Sequence, residues 1–246
     1  MKIVGIIPAR YDSSRFPGKV LADILGKPMI QYVYENASKS DLLDEVIIAT
    51  DDEKIVAAAK KFTKKVVLTS KDHKSGTDRI AEVSKCLDSE IIVNIQGDEP
   101  LISPLAINEV ISPFLNKKEL NMVTLKCLIK NKEDLLNPNV VKVISNRNNY
   151  ALYFSRSVIP YSNSLKDLDK NYYKHIGIYA YRKDFLLHFV GLPFSKLEEC
   201  EKLEQLRALE NGYQIMVIET KYESLSVDTK EDLEKINKKL MENTNG

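Results

Sequence analysis

The amino-acid sequence predicts an α/β fold built around a mainly parallel sheet. In the first half of the 246 residues, short apolar runs alternate with segments of helical periodicity. Repeated strand–helix–strand units of this kind give a parallel sheet, and ligands bind beyond the carboxyl ends of its strands. The second half is less regular and richer in strand-like segments, so we expect a smaller inserted β-rich region there.

The pattern of the first half predicts a series of strands, each followed by a helix. The strands are short, mainly apolar runs, whereas the helices carry an apolar stripe at helical spacing. Ser103 and Pro104 supply a cap and a first-turn proline for the last of these helices. The expected strands are Lys2–Ile7, Glu45–Thr50, Val66–Thr69 and Ile91–Gln96, and the expected helices are Met29–Ser38, Asp52–Lys61, Asp78–Leu87 and Pro104 to about Leu115.

The second half combines further strands with two helices. Gly212 ends the first of these helices, Thr229 caps the second, and a polar loop occupies 162–174. We expect one domain over residues 1–246, with an insertion at about 137–190 that can pack against a partner chain. The expected strands are Met122–Ile129, Val140–Ile144, Ala151–Phe154, Ile176–Tyr181 and Tyr213–Glu219, and the helices are Leu197–Glu210 and Lys230 to about Met241.

Bulk composition excludes several classes of protein. Apolar residues make up 43% and charged residues 29%, as in ordinary globular domains, and the net charge of +1 argues against a nucleic-acid binder. The apolar runs are far shorter than the roughly 20 residues that span a bilayer, so we expect no membrane insertion. Cys86, Cys127 and Cys200 lie far apart without a CxxC pair, which is typical of reduced thiols in a cytoplasmic protein.

The segment Arg10–Lys19, directly after the first strand, has the composition of an anion-binding loop. Arg10, Arg15 and Lys19 offer three cations, and Gly18 allows the backbone to come close to a ligand. Neither the Walker A pattern nor GxGxxG is present. From these residues alone, a solvated basic loop remains the alternative to a triphosphate site.

A series of short sequence blocks continues from this loop along nearly the whole chain. The blocks are Arg10-Tyr11 with Ser13, Arg15 and Pro17-Gly18-Lys19, then Gly26–Ile30, His73–Arg79, Asn94–Pro100, Asn137–Lys142, Ala151–Arg156, His175–Tyr179, Leu203–Arg207 and Val227–Thr229. In this order and spacing they resemble the sugar-activating cytidylyltransferases, and in particular the CMP-KDO synthetase family, the 3-deoxy-manno-octulosonate cytidylyltransferases. Ser224–Ser226 departs from the pattern, because the family often has glycine there.

The resemblance implies a three-layer nucleotidyltransferase fold and a homodimer that forms through the 137–190 insertion. It implies that CMP passes from CTP to the 2-hydroxyl of 3-deoxy-D-manno-octulosonate (KDO), giving CMP-KDO and pyrophosphate for lipopolysaccharide synthesis. One alternative is CTP-dependent activation of another acid sugar, such as 8-amino-KDO or sialic acid. The alternative from another class is a non-catalytic nucleotide-sugar sensor.

On the nucleotide side, the resemblance implies contacts with both the phosphates and the base. Lys19, Arg10 and Arg15 would stabilise the developing charge and, with Asp98, form the expected catalytic set. Local sequence by itself favours a loop and helix cap at Ser75–Thr77. The expected nucleotide-binding residues are Pro8, Ala9, Arg10, Ser13, Arg15, Lys19, Ser75, Gly76, Thr77 and Arg79.

Two aspartates at strand ends are the expected ligands of Mg²⁺. Asp98 follows the fourth strand, and Asp228 lies between a strand and a helix. Magnesium takes one or two carboxylates beside a triphosphate, and the resemblance implies that both aspartates hold it. By local sequence, a turn residue also explains Asp98 and a helix cap explains Asp228. His73, His175 and His188 are scattered without thiolate companions, so zinc is not expected.

The remaining expected contacts are with the sugar, since a hydroxyl-rich acid needs several donors and acceptors plus one cation. His175 and Tyr179 are four residues apart, and in a strand this spacing places them on one face. Strand packing is the alternative for these two, and a solvated helix face is the alternative for Glu204 and Gln205. The expected substrate residues are Gln96, Arg156, His175, Tyr179, Glu204 and Gln205.

Overall fold

The computed structural model of the chain describes residues 1–12, 16–162, 172–223 and 225–244. The chain divides into two compact units. The first unit comprises Met1–Asn108 and Ser224–Gly246, and the second unit comprises Glu109–Glu223. The segment 137–190, expected as an insertion, lies within the second unit, and most of the polar loop expected at 162–174 lies outside the described residues.

Strands and helices alternate along both units. The strands are β1 Ile3–Ala9, β2 Asp23–Ile24, β3 Lys27–Pro28, β4 Glu45–Thr50, β5 Val66–Leu68, β6 Ile91–Asn94, β7 Met122–Leu128, β8 Lys142–Ser145, β9 Ala151–Ser155, β10 Tyr173–Arg182 and β11 Ile215–Glu219. The helices are α1 Met29–Ala37, α2 Glu53–Ala59, α3 Gly76–Lys85, α4 Pro104–Asn116, α5 Lys132–Leu136, α6 Lys183–Phe189, α7 Lys196–Glu201, α8 Leu206–Glu210 and α9 Lys230–Thr244. Within the described ranges, no helix combines the length and apolar character needed to cross a membrane.

The sheet of the first unit contains β6, β1, β4 and β5 in that order, and all of them are parallel. Ile6 of β1 lies opposite Asn94 of β6 on one side and Ile47 of β4 on the other. Most residues of β1, β4 and β6 are buried, because helices such as α1, α2 and α3 pack on the sheet. The predicted mainly parallel sheet is therefore confirmed, with strand bounds close to those expected.

Two glycines set the close packing at the carboxyl end of β1. A Cβ atom on Gly97, just after β6, would lie 2.8 Å from the carbonyl oxygen of Pro8, so no larger residue fits there. A Cβ atom on Gly76, at the start of α3, would lie 3.3 Å from the ring of Pro8. The ends of β1 and β6 and the first turn of α3 thus converge on Pro8.

The second unit carries the β-rich region that the sequence predicts. Its strand β11 runs parallel to β7, whereas β10 is antiparallel to both β7 and β8, and β8 is antiparallel to β9. The register between β10 and β7 shifts between Ile176 and Tyr179, where Leu125 pairs with the first and Thr124 with the second. This bulge lies beside two of the residues expected to contact the sugar.

One expected helix is wrong. In place of a single helix Leu197–Glu210, the chain forms α7 and α8, with Lys202 between them at a φ of 54°. This left-handed conformation costs a residue with a side chain about 1 kcal/mol or more. The buried side chain of Arg207 in α8 donates from Nε to Glu198 Oε2 of α7 over 2.8 Å, and this ion pair stabilises the break.

Candidate active site

A cavity of about 410 Å³ opens at the carboxyl ends of β1 and β6 in the first unit. Parallel α/β sheets bind their ligands at this edge, and the volume suits a small molecule of nucleotide size. Charged, hydroxyl and backbone groups converge on the cavity. Of the expected nucleotide-binding residues, Pro8, Arg10, Lys19, Ser75 and Gly76 line it.

The loop after β1 is closed at its base by a backbone hydrogen bond. The N–H of Gly18 donates to the carbonyl of Tyr11 over 2.7 Å. Gly18 has a φ of 70°, and a Cβ atom there would lie 3.2 Å from the ring of Tyr11, so both the backbone conformation and the close contact favour glycine. This closure brings Lys19 to the cavity wall. Ser13 and Arg15, also expected at the site, lie outside the described residues.

Lys19 joins the two aspartates that the sequence singles out. Its ammonium nitrogen Nζ donates to Asp98 Oδ2 over 2.6 Å, to Asp228 Oδ1 over 3.2 Å and to the carbonyl of Val227 over 3.2 Å. Burial lowers the pKa of Lys19, but attraction to the two carboxylates outweighs burial and leaves this pKa above its ordinary value. Lys19 is therefore a fixed positive charge between two carboxylates on the cavity wall.

A backbone hydrogen bond holds the two aspartates together, and Asp228 is not the cap of the helix that follows it. The N–H of Val227 donates to the carbonyl of Asp98 over 2.9 Å. The cap of α9 is Thr229, whose hydroxyl accepts from the N–H of Asp232 over 3.2 Å, while Asp232 Oδ2 accepts from the N–H of Thr229 over 3.1 Å. The Asp228 carboxylate instead faces Lys19, so a helix cap does not account for it.

Ser75 both caps α3 and borders the cavity, so the two interpretations of this segment are compatible. Its hydroxyl oxygen accepts from the N–H of Asp78 over 3.1 Å, and Asp78 Oδ2 accepts from the N–H of Ser75 over 3.0 Å. The hydroxyl proton of Ser75 is not consumed by this reciprocal cap. By contrast, Ala9 and Thr77 are buried, at 1% and 4% exposure.

The expectation that Arg79 contacts a ligand requires correction. Its side chain is fully buried, and Nη2 donates to Asp51 Oδ2 over 2.6 Å, while Nη1 donates to the hydroxyl of Thr69. Asp51 follows β4 and Thr69 follows β5, so Arg79 ties α3 to the ends of two strands. Arg79 therefore stabilises the elements behind the cavity wall. Its pairing with Asp51 offsets the cost of burying a guanidinium in the interior.

Two further charged residues border the cavity. Lys74, which is not among the expected site residues, adds a third described cation beside Arg10 and Lys19. The sequence contains an indication of this role: a helix N-terminus attracts anions, and Lys74 directly precedes Ser75, the cap of α3. Asp12 also lines the cavity, where its carboxylate carries a charge of opposite sign to Arg10 and Lys19 of the same loop.

In the second unit, His175 is a neutral group held by Thr124. The Thr124 hydroxyl oxygen lies 2.9 Å from His175 Nε2 and 2.8 Å from the carbonyl of Ile178. Because a hydroxyl has one proton and the carbonyl can only accept, the Thr124 hydroxyl donates to Ile178 and accepts from Nε2–H. Burial lowers the pKa of His175 to about 3, so the ring is neutral and Nδ1 is its acceptor.

Other residues expected on the sugar side cluster around His175 or lie near α8. The rings of His175 and Tyr179 are 5.2 Å apart, as the one-face prediction requires. Burial, followed by the charge of Glu204, raises the pKa of Tyr179 well above its ordinary value, so its hydroxyl stays protonated. Gln205 is 6% exposed, and no described residue provides a hydrogen-bond partner for its Nε2.

Arg156 and Gln96 lie in different settings. The guanidinium of Arg156 donates to the backbone carbonyls of Glu201 over 2.7 Å and Pro138 over 3.0 Å, so much of it stabilises the second unit itself. Gln96 borders the cavity of the first unit. Thus the structure groups Gln96 with the nucleotide-side residues, and the other expected sugar-side residues belong to the second unit.

Comparison with known proteins decides the family. The family model described as cytidylyltransferase matches residues 4–236. The chain belongs to the cytidylyltransferase family. The curated 3-deoxy-manno-octulosonate cytidylyltransferase of Geotalea uraniireducens is 55% identical, over 98% of this chain and 99% of that protein. The protein of the same name from Geobacter sulfurreducens is 53% identical, over 98% of this chain and 100% of its own length.

A solved cytidylyltransferase has the same fold. The structure of CMP:2-keto-3-deoxy-manno-octonic acid synthetase complexed with CTP superposes with a TM-score of 0.93 at 43% identity, covering 99% of this chain and 100% of that one. The α/β fold predicted from the sequence, with its mainly parallel sheet, is thereby confirmed.

For a cytidylyltransferase, the carboxylates of Asp98 and Asp228 are suitable magnesium ligands. They are hard oxygen donors, and both contact the same cation, the Lys19 ammonium. In the parts of the chain that the structure describes, no group of three or more histidine, cysteine, aspartate or glutamate side chains is arranged to bind a metal. The donor set therefore fits an ion that takes its other ligands from substrate and water.

Proposed function

We propose that this chain transfers CMP from CTP to the 2-hydroxyl of KDO, giving CMP-KDO and pyrophosphate for lipopolysaccharide synthesis. The observation that carries the proposal is the convergence of Lys19, Asp98 and Asp228 at a cavity of nucleotide size. The relatives named for KDO are more than half identical over nearly their full length, which favours KDO over another acid sugar as the acceptor.

Nucleotidyl transfer depends mainly on positioning and charge neutralisation. Arg10 would bind phosphate oxygens through its planar fork, and Lys19 would place a compact charge beside the leaving pyrophosphate. Asp98 and Asp228 would hold Mg²⁺, which when bound supplies a Lewis acid for the phosphate and the attacking hydroxyl. Arg15 and Ser13 would complete the phosphate loop.

The start of α3 is suited to the base. The Ser75 hydroxyl accepts from the N–H of Asp78 and keeps its own proton, so it can donate to a pyrimidine carbonyl. Gly76 has no side chain, and this leaves the backbone of the first helical turn open to the cavity. Pro8 supports this turn from the end of β1.

On the sugar side, the arrangement of neutral groups suits a polyhydroxylated acid. His175 Nδ1 would accept from a sugar hydroxyl, while the protonated Tyr179 hydroxyl and Gln205 Nε2 would donate. Glu204 and Gln96 would accept from or orient further hydroxyls. The partial use of Arg156 by backbone carbonyls makes it a secondary candidate for the sugar carboxylate.

We also propose that the chain works as a homodimer in the cytoplasm. Leu136, Leu152 and Tyr161 of the second unit are 54%, 58% and 87% exposed, and such apolar side chains support an interface with a second copy. Cys86 and Cys200 are exposed free thiols, as a reducing compartment allows.

Pyrophosphate release from a matrix of four nucleoside triphosphates and several acid sugars tests the proposal. We expect release with CTP and KDO in the presence of Mg²⁺, and at least about tenfold less with sialic acid. If more pyrophosphate is released with 8-amino-KDO than with KDO, 8-amino-KDO is the acceptor. Calorimetric binding of CTP without pyrophosphate release from any pair would overturn the enzyme assignment and favour a sensor.

A further inference from the structure

Arg10 is held in place by a backbone carbonyl from another segment. Its Nη2 donates to the carbonyl oxygen of His73 over 2.7 Å. A guanidinium carries five N–H donors in a rigid plane, so one bond to a carbonyl restrains the position of the group and leaves other donors for a ligand. The orientation of Arg10 at the cavity therefore depends on where the His73 carbonyl lies.

The segment that carries this carbonyl is clamped to α3 by one carboxylate. Glu82 of α3 accepts from the N–H of Ser70 over 3.0 Å through Oε2, and the same oxygen pairs with His73 Nε2. The hydrogen bond from His73 lowers the pKa of Glu82, so its carboxylate is a stable anion. Both ends of the segment Ser70–His73 are thereby joined to a single side chain.

The helix that carries Glu82 is itself rigidly placed. Arg79, on the same helix, is fully buried and paired with Asp51 at the end of β4. A contiguous chain of polar contacts thus runs from β4 through α3 and Glu82 to His73 and on to Arg10. Each member lies in the first unit.

We propose that His73 and Glu82 are positioning residues that aim the Arg10 guanidinium at the CTP phosphates. Arg10, Lys19 and Lys74 line one cavity, and like charges repel one another when no phosphate is bound. Asp12 also lines the cavity and would attract an unfixed Arg10 away from the phosphates. The His73 carbonyl prevents this and lets Arg10 bind CTP without reorganisation. This inference rests on the proposed use of CTP.

The test is a double-mutant cycle with CTP binding as the readout. Glu82→Gln keeps an acceptor for Ser70 but removes the charge that holds His73. We expect the Kd of CTP, measured by calorimetry without sugar, to rise about tenfold, as does the KM for CTP, with kcat changed less than about threefold. In an Arg10→Ala background, the same Glu82→Gln change should add less than about twofold, because its effect passes through Arg10.

His73 variants and a matched surface pair provide the controls. His73→Ala should reproduce the loss in CTP affinity, while His73→Gln, whose amide can donate to Glu82, should restore most of it. Lys65→Gln breaks an ion pair with Glu45 in the same unit, away from the cavity, and should leave the Kd of CTP unchanged. An equal loss of affinity from Glu82→Gln with and without Arg10, or a loss of melting temperature alone, would overturn the inference. Wild-type protein that binds CTP but releases no pyrophosphate with KDO would overturn only the proposed function.

Discussion

The ammonium nitrogen of Lys19 lies 2.6 Å from Oδ2 of Asp98, one of the two carboxylates proposed to bind magnesium. The same nitrogen is 3.2 Å from Asp228, so one protein cation bridges both expected metal ligands. Lysine and metal compete for the same negative charge. We therefore expect a bound metal to release Lys19 toward the phosphates of the nucleotide.

Removal of this competing cation should have opposite effects on metal binding and on turnover. In Lys19→Met, the affinity of the nucleotide-free protein for Mn²⁺ should rise about tenfold, or roughly 1.4 kcal/mol, a magnitude consistent with loss of one nearby unit charge. Pyrophosphate release should fall by about 10²–10³, because one electrostatic stabiliser is lost. Calorimetry with Mn²⁺ alone measures the first effect. Lys27→Met, which breaks a pair with Glu35 outside the cavity, is the control, and unchanged Mn²⁺ affinity in Lys19→Met would refute competition.

Asp98→Asn should separate folding from catalysis. The amide keeps the size and an acceptor for Lys19 but removes the charge on which metal binding depends. We expect a melting temperature within a few degrees of wild type and loss of most pyrophosphate release. Asp134→Asn, which alters a pair with Lys174 in the second unit, should retain activity. Near wild-type turnover of Asp98→Asn would remove this residue from the metal site.

The sequence predicts the cavity better than it predicts the residues behind it. Lys19 lies in the loop after β1 and Asp98 follows β6, so topology brings both to one edge of the sheet, whereas Asp228 is held beside Asp98 by the hydrogen bond from the N–H of Val227 to the Asp98 carbonyl. The direction of Arg79 was not predictable in this way, since its partner Asp51 lies 28 residues away and only the folded chain brings the two together. A charged residue near a phosphate loop is therefore easily assigned to the ligand when it belongs to the interior.

The break between α7 and α8 shows the same limit in a helix. Lys202 has ordinary helix propensity, and nothing in the local sequence favours the left-handed conformation that it adopts. The buried ion pair of Glu198 and Arg207, nine residues apart, stabilises the break from outside it. Hydrophobic periodicity predicts which residues face a core. It does not predict a buried ion pair that stabilises a break between two helical segments.

The buried pair of Arg79 and Asp51 should contribute to stability rather than to ligand affinity. Arg79→Met leaves Asp51, which is 19% exposed, without its partner, whereas Asp51→Asn leaves a fully buried guanidinium unpaired. Urea unfolding should therefore show a loss of about 3 kcal/mol for Arg79→Met and a larger loss for Asp51→Asn. The Kd of CTP for the folded variants should change less than about threefold. A tenfold loss of CTP affinity on Arg79→Met that persists in the Arg10→Ala background would restore Arg79 as a ligand contact, because such a loss cannot act through Arg10.

His175 should make stability depend on pH in a predictable direction. Burial lowers the pKa of the folded ring to about 3, whereas an unfolded histidine titrates near 6.5. Between these values the unfolded chain binds the extra proton, so the free energy of unfolding falls as the pH falls from about 6.5 toward 3, by up to about 1.4 kcal/mol per pH unit. This contribution to stability is complete above about pH 6.5.

The measurement compares urea unfolding at pH 7.5 and pH 5.0 for wild type and His175→Gln. The glutamine amide can still donate to Thr124, so the fold is retained, but the side chain no longer titrates. In this variant we expect a smaller difference in the free energy of unfolding between pH 7.5 and pH 5.0, because the unfolded chain no longer binds a proton at position 175. The same pH dependence in wild type and His175→Gln would mean that folding does not lower the pKa of His175, and that the ring loses its neutral acceptor below about pH 6.5.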